Sequence, residues 1–83
     1  MESIESFVTG ALADACQRDR ASLTLETRLE DVDLDSMSVA LFVTLVEAEY
    51  GVEMPAERIV ELYEAETIRS AAGVVSRLVG VQS

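Results

Sequence analysis

Ser36 is the residue of this chain best placed to do chemistry. It stands in the stretch Leu29-Glu30-Asp31-Val32-Asp33-Leu34-Asp35-Ser36-Met37-Ser38-Val39, after an acidic segment and before an apolar run of helical character. A serine at or just inside a helix N-terminus keeps its hydroxyl in solvent. That end carries unpaired backbone N–H groups and a partial positive charge, so it tolerates a phosphate. The hydroxyl could therefore hold a phosphate ester. It could equally serve as a helix cap, a common task for serine.

Other chemistries find little support. The chain has no histidine and no tryptophan. No Ser-His or Cys-His pair can be assembled, and no His/Cys cluster could hold zinc. Asp31, Asp33 and Asp35 match the first positions of a calcium-binding EF-hand loop. The sixth position is Ser36 where glycine belongs, and the twelfth is Phe42 where glutamate belongs, so the match is rejected. Tyr50 and Tyr63 read as core edges rather than acid/base groups. The single Cys16 cannot close an internal disulfide and fits a reducing cytoplasm. It falls on an apolar face, where a small buried hydrophobe is the expected role.

Composition points to one small folded domain over residues 1–83. Hydrophobic residues make up 49% of the chain, too many for a disordered segment. The formal net charge is −10, from 16 acidic residues against 6 basic ones, all arginines. Such a field repels nucleic acid and anionic membranes and attracts basic protein surfaces. The acids cluster at residues 26 to 35 and again at 47 to 66, which favours docking to a partner over simple solubilisation. The N-terminus shows no basic segment followed by an apolar stretch and cleavage site, so no signal peptide is expected. The run Val39 to Val46 is too short to span a bilayer.

The positioning elements are helices. Ile4, Phe7, Val8, Ala11, Leu12, Ala15 and Cys16 recur at helical spacing behind a Ser3 cap, with Glu2 and Glu5 at the positive end and Arg18 and Arg20 near the negative end. Residues 19 to 35 lack a sustained period and read as a long connection, pinned by Leu23, Leu25, Leu29, Val32 and Leu34. A second helix runs from Ser36 to about Tyr50 and stops at Gly51. Its core stripe is Val39, Phe42, Val43, Val46 and Tyr50. Met37, Leu41, Leu45 and Ala48 make its other face apolar too. Met54-Pro55 breaks the chain before a short third helix, with Ile59, Leu62 and Tyr63 turned inward. Thr67 caps a fourth helix that carries Ile68, Ala71, Ala72, Val75, Leu78 and Val79 inward and ends at Gly80. No stretch alternates like a strand. The expected architecture is all-α: a small four-helix bundle of three main helices and one short one, with a long loop between helices 1 and 2.

With these motifs in order, the sequence resembles the acyl carrier protein family, from the first helix through Gly80. The family's attachment motif, Asp-Ser-Leu at the start of the second helix, stands here as Asp35-Ser36-Met37. Val46-Glu47-Ala48-Glu49-Tyr50-Gly51, Met54-Pro55-Ala56-Glu57 and Thr67-Ile68 match three further family features. The resemblance implies a 4'-phosphopantetheine arm esterified to Ser36, carrying acyl groups as thioesters, in a non-catalytic, monomeric, cytoplasmic carrier. It implies a phosphopantetheinyl transferase as one partner, which would supply the base that this chain lacks. Asp35 would help that transferase dock, through its metal. Acyl-loading and acyl-using enzymes with basic docking surfaces are the other implied partners. Asp35, Met37, Leu41, Glu47, Glu49 and Glu53 are the candidate contacts.

Four features depart from the common family patterns. Leu41 stands where an acidic residue often serves fatty-acid synthase partners, and Ala48 replaces a frequent glutamate. The segment before Thr67 is extended by Tyr63-Glu64-Ala65-Glu66, and the Gly-Gly-x-Ser pattern of peptidyl carriers is absent. These departures favour a free-standing carrier in polyketide or other natural-product assembly over fatty-acid synthesis or an aminoacyl/peptidyl carrier. The competing reading is an unmodified acidic helical module that binds one partner through its apolar second helix.

Overall fold

Helix α1 spans Ile4–Cys16 in the computed structural model, which describes residues 3–82. Ser3 opens it as expected, its Oγ accepting the Ser6 N–H at 3.1 Å. Glu5 lies in the first turn, and Glu2 is outside the described residues. Gln17 adopts a left-handed conformation and closes the last turn through bonds to Ala13 and Asp14. The two arginines beyond it do not line the negative end as the sequence suggests. Arg18 reaches Asp33 at 2.9 Å. Arg20 lies in a 3₁₀ turn that reverses the chain, so its guanidinium runs back along α1 to the Ser6 carbonyl at 3.0 Å.

The connection from 19 to 35 contains two short 3₁₀ turns, Arg20–Ser22 and Leu29–Val32. Leu29 and Val32 are buried, and Leu23, Leu25 and Leu34 pack on the core from its edge. The backbone of this segment needs partners, and it finds them at the start of the last helix. Leu29 N–H donates to Glu66 O at 2.9 Å, Ile68 N–H to Thr27 O at 3.0 Å, and Arg69 N–H to Leu25 O at 2.9 Å. One antiparallel bridge, Arg28 with Thr67, is the strand-like pairing here. The Glu26–Arg69 ion pair at 2.6 Å spans the same seam.

Helix α2 spans Ser36–Tyr50 and ends on Gly51, whose φ of 63° suits a residue without Cβ. Val39, Phe42 and Val46 are buried, with Val43 and Tyr50 at the core edge. Tyr50 meets Phe7 edge to face, centroids 5.4 Å apart, which sets α1 and α2 antiparallel. Helix α3 spans Ala56–Glu64, begun by Pro55 as its cap. Helix α4 spans Ile68–Gln82, where Thr67 Oγ1 accepts the Ser70 N–H at 3.2 Å. The helix runs through Gly80 instead of ending there, because Gly80 keeps a negative φ.

Helix α1 packs on α2 and α4, and α3 packs on α4. The shared core is Val8, Leu12, Phe42, Val46, Ile68 and Val75, each 1% exposed or less. The fold is the expected all-α four-helix bundle with one short helix and a long first loop. One inward assignment fails. Tyr63 is 55% exposed, since each residue turns a helix by about 100° and Tyr63 stands one such step past buried Leu62. The covered strip of α3 runs through Leu62 with Arg58, Ile59 and Glu61 partly shielded around it, and Tyr63 lies just beyond its edge.

Candidate functional site

Ser36 is the first residue of α2, and it does not cap that helix. Asp35 takes the cap: its Oδ1 accepts the Ser38 N–H at 2.8 Å, and its carbonyl accepts the Val39 N–H at 2.9 Å. The Ser36 side chain is therefore spared the task that a bare N-cap serine performs. It is exposed, and among the described residues its hydroxyl has no hydrogen-bond partner. It sits at the positive end of a 15-residue helix whose first turn holds no acidic side chain. Backbone N–H groups face the same solvent. An exposed, unpartnered hydroxyl at such an end has room for a phosphodiester. Among the described residues no side chain is hydrogen-bonded to it, so the structure pairs it with no general base.

The Ser38 N–H bond, backed by the Ser38 hydroxyl, holds the Asp35 carboxyl below its usual range. A lowered carboxyl pKa stabilises the fold above the unfolded value, about 4, and that contribution fades as pH falls through the lower folded value. We expect the Ser38 amide to lose hydrogen-exchange protection as pH drops below about 4. Asp35→Asn should keep a cap while removing this pH dependence, which an amide-resolved titration reads directly.

The far end of α1 brings Cys16 alongside this site. The thiol is half-buried, and desolvation pushes its pKa above the ordinary thiol value despite the Ser38 hydroxyl and Arg18 nearby. It is a packing group of raised pKa, consistent with its place on the apolar face.

The other sequence candidates divide by position. Met37 is 82% exposed and Leu41 is 46% exposed, on the same side of α2 as Ser36. Ala40 and Thr44 extend that exposed side, and the first charge along it is the partly buried Glu47, three turns beyond Ser36. Glu49 and Glu53 are exposed near the opposite end of α2. Glu47 is different. It is partly buried, and its Oε2 accepts the Met54 N–H at 2.8 Å, tying the α2–α3 connection to α2. Glu47→Ala should therefore destabilise the fold by about 1 kcal/mol, whereas Glu49→Ala should stay within about 0.5 kcal/mol of the parent. Urea unfolding of the two variants checks the contrast.

The arginines explain where negative charge is left over. Arg18 pairs with Asp33, Arg28 with Glu30, Arg69 with Glu26, and Arg58 and Arg77 both with Glu61. Among the described residues Asp31, Glu49, Glu53, Glu57, Glu64 and Glu66 have no ion-pair partner. No helix among the described residues is long and apolar enough to cross a membrane.

Sequence reasoning missed one part of the site. A groove of about 570 Å³ opens beside Asp35, walled by Leu34 on one side and by Leu62, Tyr63 and Ala65 on the other. Its signal was present in the extended Tyr63-Glu64-Ala65-Glu66 segment, but only the rotation of α3 turns Tyr63 toward it.

Comparison with known proteins agrees with this geometry. Residues 6–75 match the family described as "Phosphopantetheine attachment site". The chain is 28% identical over 83 residues to proteins named acyl carrier protein from Rickettsia typhi (strain ATCC VR-144 / Wilmington) and Rickettsia prowazekii (strain Madrid E), covering 99% of this chain and 90% of each relative. With its helical bundle and its matched attachment region, the chain belongs to the phosphopantetheine-attachment family of acyl carriers, whose prosthetic group is 4'-phosphopantetheine.

Proposed function

We propose that Ser36 is the residue esterified by the phosphopantetheine arm, and that the protein presents acyl intermediates to enzymes of polyketide or other natural-product assembly. The observation that carries the first part is the exposed Ser36 hydroxyl, left without a partner because Asp35 caps α2. When bound, the arm supplies a flexible thiol that holds an acyl group as a thioester. The chain itself contributes an anchor, a docking face and a charge field, and it acts as a non-catalytic, monomeric carrier in the cytoplasm. Incubation with coenzyme A and a broad-specificity phosphopantetheinyl transferase tests this reading. The intact mass should rise by one arm. An unchanged mass with several transferases would favour the unmodified interaction module.

The pathway assignment rests on α2. Its exposed side from Ser36 to Thr44 is uncharged, with Met37 and Leu41 prominent. A partner built to read acids along that face would find none before Glu47, whose carboxylate is already held by the Met54 N–H. The acids lie at its two ends, Asp31 and Asp35 before it and Glu49 and Glu53 after it. Basic rims on loading and transferring enzymes would be steered by these ends, and apolar contact at Met37 and Leu41 would select among them. Glu49→Lys should slow acyl transfer at low ionic strength, and the difference should shrink as salt rises. Rates equal to the parent at low salt would refute the steering. Glu47→Lys is a poor probe of the same idea, because it also breaks the bond to Met54.

A further inference from the structure

The groove beside Asp35 has a mixed character that bears on what the carrier holds. Its floor is apolar, formed by Leu29, Leu34, Leu62 and Ala65. Leu29 and Leu62 are buried in the core behind it, so the floor is fixed. Its rim carries four carboxylates, from Glu30, Asp33, Asp35 and Glu66, against the single guanidinium of Arg28. The cations nearby are already committed: Arg28 lies on Glu30 at 3.2 Å and Arg18 on Asp33 at 2.9 Å. Asp35 and Glu66 have no ion-pair partner among the described residues. The groove is thus an apolar slot under a negative rim.

The groove is also preformed. The Leu29 N–H bond to Glu66 O ties its two walls together at 2.9 Å, and the Arg28–Thr67 bridge continues the seam. Occupation needs no helix to move, so little ordering cost opposes it. The interior offers a less ready site. Phe42, Ile68, Val46 and Val75 fill the core at 1% exposure or less, and a guest there would have to displace them.

We propose that this groove seats the outer end of the loaded arm, and that it favours acyl groups ending in an amine over those ending in a carboxylate. The inference rests on Ser36 being the attachment residue, since the groove begins at its neighbour Asp35. The methylenes of the acyl group lie on Leu34 and Leu62. A terminal ammonium gains the carboxylates of Asp35 and Glu66, whereas a terminal carboxylate meets like charge and stays in solvent.

Matched cargoes test this. The apo protein is loaded from β-alanyl-coenzyme A or malonyl-coenzyme A, which place an ammonium or a carboxylate at similar reach. Intact mass first reports attachment, and amide shifts relative to the unloaded arm then report seating. At low salt the β-alanyl form should shift the amides of Leu29, Leu34, Tyr63 and Glu66 about fivefold more than the malonyl form. Raising salt should narrow the gap. Glu66→Lys, at an exposed side chain, should reduce or invert the order. Equal shifts for the two cargoes, or shifts centred on Phe42 and Val75, would overturn the proposal while leaving attachment at Ser36 intact. No gain in mass would overturn both.

Discussion

Ser36→Ala should abolish arm attachment completely while leaving the bundle within about 0.5 kcal/mol of the parent. The two halves of this expectation come from one geometric fact. The Ser36 hydroxyl makes no bond within the described residues, so its removal leaves no buried group unpaired and no cap unmade. Alanine is also the best helix former, and its gain at the first helical position offsets any small loss. Asp35 continues to hold the Ser38 N–H. Intact mass after incubation with coenzyme A and transferase reads the first half, and urea unfolding reads the second. A variant that loses attachment because it has unfolded would show a shifted urea midpoint. A variant that is destabilised by more than about 1 kcal/mol would mean that Ser36 is the cap after all.

Phe42→Ala should have the largest effect on stability. Phe42 is 1% exposed and is the largest of the fully buried side chains. Truncating a buried phenylalanine costs about 3–5 kcal/mol, as lost transfer energy and a cavity. A chain of this length is stable by roughly 4–12 kcal/mol, at 0.05–0.15 kcal/mol per residue. The loss is therefore a large fraction of the whole. A steep fall in the urea midpoint, with a rise in the unfolded fraction at 37 °C, is the expected outcome. Phe42→Leu, which conserves more volume, should retain a cooperative transition. If Phe42→Ala unfolds at the same urea concentration as the parent, α2 is not held by the core described here.

The helices were legible because their patterns are strong. Val39, Phe42 and Val46 repeat at helical spacing, and Gly51 stops the helix where a left-handed φ is needed. Ser3, Pro55 and Thr67 each mark a helix start through local chemistry that depends on no distant residue. The misreadings involve long-range geometry. Arg20 folds back on Ser6 because the chain reverses in a short 3₁₀ turn, and no local signal fixes that reversal. Tyr63 faces out because α3 covers only a narrow strip against α4, and the rotation of that strip is set by packing.

The candidate site was legible in its identity and less so in its arrangement. Asp35-Ser36-Met37 marks the helix start in the sequence, but which of Asp35 and Ser36 caps the helix is decided by the backbone. Glu47 and Glu49 look alike in the sequence and do different work, because only Glu47 lies within reach of the Met54 N–H. The groove joins Leu34 to Tyr63 and Glu66, segments brought together by the Leu29–Glu66 and Thr27–Ile68 bonds. Those bonds connect a loop to a helix start far along the chain, so no window of sequence contains them.

The central claim is that one exposed oxygen at the start of α2 is the anchor of the arm. Peptide-level mass mapping of the modified parent protein tests it most directly. The added mass should fall on the fragment containing Asp35-Ser36-Met37, and fragmentation should assign it to residue 36 and not to Ser38. Addition at any other residue, or none in the presence of several active transferases, would contradict the account.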